Sequence, residues 1–139
     1  MDSTYVIRAR LGRVSFGEAV DRVSDALREQ GFGILTEIDI ARTLDVKLGV
    51  EFRPYRILGA CNPVLAHRAL ELEPEIGVLL PCNVVVQEID GEVEVLIADP
   101  AAMFGLVRSE ALSPIARQAD MKLRRAAASL EMPAQGAKR

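Results

Sequence analysis

Residues Cys82–Ala98 read CNVVVQEIDGEVEVLIA. Asp90-Gly91 stands between two apolar runs, and that dipeptide suits a two-residue hairpin turn whose central positions both need positive φ. Such a turn pairs Ile89 with Glu92, and by the same count Val86 with Val95 and Val84 with Ile97. Side chains alternate along a strand. Cys82, Val84 and Val86 therefore share one face with Val93, Val95 and Ile97, and that face is predicted to be core. Gln87, Glu92 and Glu94 fall on the other.

Upstream of the hairpin, helices and strands alternate. Tyr5–Leu11 predicts a strand, with Tyr5, Ile7, Ala9 and Leu11 on one face and Arg8 and Arg10 opposite. Ser15 followed by Glu18 fits a capping box. Ala19, Val20, Val23, Ala26 and Leu27 follow at helical spacing, and Gly31 is a natural stop. Phe32–Ile38 predicts a second strand, and Asp39 caps a helix over Ile40–Leu48 that Gly49 ends. Tyr55–Cys61 predicts a third strand. Asn62-Pro63 then starts a helix: Asn caps it, and Pro at the first position lacks only an amide hydrogen that has no partner there. This helix is expected to run to Leu72 or Glu73.

The fourth strand is expected to join Val78–Leu80 to Val84–Val86, with a bulge or an edge at Pro81, which cannot donate to a ladder. Asp99-Pro100 ends the fifth strand, and Glu110–Leu130 carries apolar residues at helical spacing. The predicted fold is α+β in the order β-α-β-α-β-α-β-β-α. It comprises a mixed sheet of about five strands with helices packed on it. Residues 1–132 are expected to form one domain, and Pro133–Arg139 a disordered tail.

Bulk properties narrow the function. The 17 basic and 20 acidic residues leave a net charge of −3, without the basic excess that phosphate neutralisation asks for, so no nucleic-acid partner is expected. With four Phe, two Tyr and no Trp, base-stacking platforms are unsupported as well. The longest apolar run, Gly77–Val86, is broken by Pro81, Cys82 and Asn83 and falls short of the roughly 20 residues a membrane span needs. The start of the chain lacks the basic and apolar regions of a signal peptide. A cytoplasmic location is expected, with Cys61 and Cys82 as free thiols and no membrane partner.

Two segments stand out, Gly59-Ala60-Cys61-Asn62-Pro63 and Leu80-Pro81-Cys82-Asn83. The first sets a thiol just before a helix N-terminus, whose partial positive charge favours a thiolate. Thiolates attack, ligate soft metals or exchange disulfides. Alternation places Cys61 on the Ile57 face and Cys82 on the Val84 face. If both faces pack on one core, the thiols become neighbours; buried cysteine is equally a small hydrophobe.

Other candidates carry less. His67, the only histidine, projects away from the apolar face of its helix and is expected at the surface, so no Cys-His pair or Ser-His-Asp triad is supported. Glu37 and Asp39 share a side and form a possible acid-base pair, although Asp39 is also explained as a cap. Arg8, Arg10 and Arg56 line one side and bind an anion if the first and third strands are neighbours; Arg53 lies nearby in sequence. Gly31-Phe32-Gly33 follows a helix rather than opening one, the wrong context for a dinucleotide-binding loop.

YRILGACNP at Tyr55–Pro63, GVLLPCNVVV at Gly77–Val86 and IADP at Ile97–Pro100, with GFGILTEIDI at Gly31–Ile40 upstream, resemble the family catalogued as domain of unknown function 302. The similarity covers about residues 15–100. It implies a small homodimeric α+β fold and brings no activity, substrate or cofactor. Its signature residues are Cys61, Asn62, Pro63, Pro81, Cys82, Asn83, Asp99 and Pro100. The expected function is thus a homodimeric binding module that holds a small ligand or a soft metal near Cys61, Asn62, Cys82, Asn83 and Asp99. Cys61 and Cys82 would be the metal ligands, and the cofactor is unknown. The alternatives are a structural or regulatory interaction domain with inert core cysteines and, third, a thiol-dependent enzyme.

Overall fold

The structure is a computed structural model that describes residues 4–131. The expected tail, residues 133–139, lies outside the described residues. The strands are β1 (Val6–Gly12), β2 (Gly33–Asp39), β3 (Tyr55–Cys61), β4 (Cys82–Ile89) and β5 (Glu92–Ala98). The helices are α1 (Phe16–Glu29), α2 (Ile40–Leu48), α3 (Pro63–Leu72), α4 (Pro100–Phe104) and α5 (Ser113–Glu131). Two 3-10 turns, Pro74–Leu79 and Glu110–Leu112, complete the described chain.

Local signals account for most boundaries. The Ser15 hydroxyl accepts from the Glu18 amide at 3.2 Å, Asp39 from the Arg42 amide at 3.0 Å, and Asn62 from the Leu65 amide at 3.2 Å. Each satisfies one of the amides that a helix start leaves without a partner. The hairpin turn has positive φ at both Asp90 (55°) and Gly91 (80°), as the Asp-Gly dipeptide predicts. Its register is Ile89 with Glu92, Val86 with Val95 and Val84 with Ile97.

The sheet order is β1-β5-β4-β3-β2. The α+β class and the five strands are as expected. The expected mixture of strand directions is corrected: all four pairings are antiparallel. The helical connections through α2 and α3 return the chain antiparallel to the strand it left, instead of crossing over to a parallel neighbour. Helix α1 carries the chain from one sheet edge, β1, to the other, β2.

One sheet face packs against α1 and α5. Ile7, Ala9, Leu58, Ala60, Val84, Val86, Val93, Val95 and Ile97 are buried there with Ala19, Val23 and Leu27 of α1 and Ile115, Leu123 and Ala126 of α5. Across the opposite face runs a polar row. Arg8 donates to Glu94 (3.1 Å), Gln87 donates to Glu94 (2.9 Å), and Arg53 donates to Gln87 (2.8 Å).

The expected strand at Val78–Leu80 is also corrected. Pro74–Leu79 forms a 3-10 turn, and β4 begins only at Cys82. Ile76 is the buried residue of that turn and Leu79 packs partly buried against the core, while Val78 is 87% exposed. Pro81, which follows a cis peptide bond, stands just ahead of the ladder rather than inside it.

Candidate functional site

Cys61 is the last residue of β3, Asn62 caps α3, and Cys82 opens β4 opposite Ala60. Cys61, Asn62 and Cys82 line one small cavity of about 30 Å³. Apolar side chains from four further parts of the chain close it: Phe32, Leu80, Phe104 and, from α5, Ile115 and Ala119. Leu58 and Ala60 are the β3 residues sunk in the helix-covered core, so alternation sets Cys61 on the other strand face from them. The thiols are neighbours all the same, because β3 stops at Cys61 and the next residue already belongs to the α3 cap. The cavity sits at that strand end rather than in mid-sheet.

Both thiols are half-buried and free. Burial raises the Cys61 thiol above its ordinary value. It pushes Cys82 up to about 11, and negative charge on Cys61 adds to the shift. Burial thus works against the thiolate that the α3 N-terminus favours at Cys61. The cavity wall is almost wholly apolar, and an apolar wall disfavours the charged form of a thiol.

The remaining candidates go elsewhere. Asn83 is exposed in β4, opposite Gly59, and does not line the cavity. Asp99 is engaged twice: one carboxylate oxygen accepts from the Ala101 amide at 2.9 Å and the other from Arg124 at 3.2 Å. It starts α4 with Pro100 at the first position. The expected arginine site is not assembled, because β5 and β4 separate β1 from β3. Arg8 pairs with Glu94 at 3.1 Å, and the Arg10 amide donates to Glu131 at 2.9 Å. Arg56 pairs with Glu37 at 2.6 Å and Asp39 at 3.7 Å, which also occupies the two carboxylates suited by spacing to acid-base work. Arg53 stacks over the rings of Phe52 and Tyr55 at 4.5 and 5.6 Å. His67 is exposed, as expected, and lies 3.5 Å from Glu71. No group of three or more His, Cys, Asp or Glu side chains that could hold a metal occurs among the described residues.

Sequence reasoning misses Phe104. The signal is present, since Asp99-Pro100 is the same cap-and-proline start as Asn62-Pro63, but a strand terminus explains that dipeptide equally well. The walls supplied by Phe32, Ile115 and Ala119 have no local signal, because nothing in an apolar helix face says which strand end it will cover.

No curated protein matches the chain. A solved structure, the crystal structure of an uncharacterized conserved protein DUF302 from Bacillus stearothermophilus, is similar with a TM-score of 0.83 and 27% identity. The match covers 91% of this chain and 98% of that one. With its core, its hairpin and both Cys-Asn segments inside the matched residues 7–130, the chain belongs to the family described as Domain of unknown function DUF302.

Proposed function

We propose that the protein is a homodimeric binding module, and that Cys61 and Cys82 together hold a soft metal ion. The observation that supports this is the convergence of two thiols, distant in sequence, on one cavity. Its size favours an ion over a metabolite: about 30 Å³ is room for one water, whereas metabolite pockets run to roughly 300–1,000 Å³. Two thiolates suit a soft ion such as Cu(I), while a structural zinc site asks for four ligands. A bound ion would displace both thiol protons, so affinity should rise with pH. A reducing, cytoplasmic setting belongs to the same reading.

The homodimer draws support from an apolar surface around β2. Leu35, Ile38, Val46, Leu48, Val50 and Phe52 are all exposed large hydrophobics, and α2 buries none of its residues.

The test is an anaerobic titration of the reduced protein with Cu(I) against a chromogenic chelator. One ion per chain is expected, and loss of that binding in both Cys61→Ser and Cys82→Ser. Unchanged uptake by the double variant would defeat the reading.

A second reading, an interaction domain with inert core cysteines, is favoured by the same burial that pushes Cys82 up to about 11. It expects stability that depends on protein concentration and no response to Cu(I). A thiol enzyme ranks below both. Its Cys61 would work without a nearby histidine, since His67 lies at the surface beside Glu71.

A further inference from the structure

A larger groove, also lined by Phe104, lies between α4 and the start of α5. Its volume is about 490 Å³, within the roughly 300–1,000 Å³ of small-molecule sites. Phe104, Leu112 and Ala116 form an apolar floor, and Arg108, Arg117 and Ser113 stand around it. Ion pairs among the described residues engage Arg8, Arg28, Arg56 and Arg124, and further side-chain hydrogen bonds engage Arg22 and Arg53. The side chains of Arg10, Arg13, Arg42, Arg68, Arg108, Arg117 and Arg125 are in neither set, and of these Arg108 and Arg117 line the groove. Of the two acids on the groove, Asp120 already accepts two bonds from Arg124, which leaves Glu110 against two guanidinium groups.

Arg108 also holds φ at +58°, a left-handed conformation that costs energy in any residue with a Cβ. Glycine would fit this turn without strain, so an arginine there asks for a reason other than folding.

We infer that this groove binds an organic anion with an apolar body. Its carboxylate or phosphate is held by Arg108 and Arg117, and its hydrocarbon part lies on Phe104, Leu112 and Ala116. Guanidinium groups take either oxyanion in a two-pronged bond, and the floor supplies the apolar contact. The inference does not rest on the thiol reading, although the two cavities share Phe104 as a wall.

The test is thermal melting and calorimetry of the full chain with octanoate, octyl phosphate, octanol and inorganic phosphate. Octanoate, octyl phosphate or both should raise the melting temperature with concentration, while octanol and inorganic phosphate should not. A response to octanoate alone identifies a carboxylate ligand, and to octyl phosphate alone a phosphate ester. Arg108→Gly should melt at or above the unsubstituted protein yet bind about tenfold more weakly, and Arg108→Gly with Arg117→Gln should not respond. No response to either anion, an equal response to octanol, or full binding by the double variant would overturn the assignment.

Discussion

The two Cys-Asn segments have the same dipeptide and opposite surroundings. In the first, the dipeptide closes a strand, and Asn62 turns its side chain back to cap α3. In the second, it opens a strand, and Asn83 points outward from the ladder with no helix to cap. The thiols differ in parallel. Cys82 enters the ladder opposite Ala60 and is pushed up to about 11, while Cys61 is raised less. A motif's chemistry thus depends on whether the chain is leaving or joining the sheet at that point.

The largest test of this comparison is the residue that links the segments. Gly59 pairs with Asn83, and a Cβ there would collide with Thr36 Oγ1 and come within 2.9 Å of Pro81 Cγ. Gly59→Ala should cost about 2–3 kcal/mol in urea denaturation, since Thr36 sits in a paired strand and cannot yield freely. A loss below about 0.5 kcal/mol would mean that the two segments are not held together at Gly59.

The second test is pH. A thiol whose folded value is raised keeps its full contribution below the unfolded value and loses it as pH rises through the folded one. Cys82 moves from an ordinary 9.0 to about 11, so stability should decline as pH rises between those values, at a slope approaching roughly 1.4 kcal/mol for each pH step of one. Cys82→Ala should flatten the decline. Cys61→Ala should lower the Cys82 value, because charge on Cys61 contributes to it. Alkylation read separately for each thiol should find Cys61 reacting at lower pH; the reverse order would break the assignment of surroundings.

The third contrast lies in the asparagines. Asn62→Ala removes a cap and should cost about 1 kcal/mol. Asn83→Ala, on an exposed strand position, should stay within about 0.5 kcal/mol. Equal losses would show that Asn83 carries a contact that the strand geometry does not provide.

Much of the fold is legible in the chain because it is local. Ser15, Asp39 and Asn62 cap helices with their own side chains, and Asp90-Gly91 specifies its turn through φ alone. Where a local signal has two uses, sequence reasoning finds one of them. Asp99-Pro100 both ends β5 and starts α4, and the strand end alone accounts for the dipeptide. The apolar Val78–Leu80 resembles a strand by composition, but the stretch from Pro74 folds as a 3-10 turn that buries only Ile76.

What the sequence determined by itself is the five strands, four of the five helices, the hairpin register and the α+β class, since periodicity, caps and turn residues act over a few positions. Only the tertiary structure decided strand order and direction, and with them the partners of each charge. It separated Arg8 from Arg56 by two strands, joined Arg56 to Glu37 and Asp39, and set Phe104 and α5 over Cys61 and Cys82. Those outcomes depend on which apolar faces bury one another across the whole chain, and burial is also what moved the thiols away from the thiolate form.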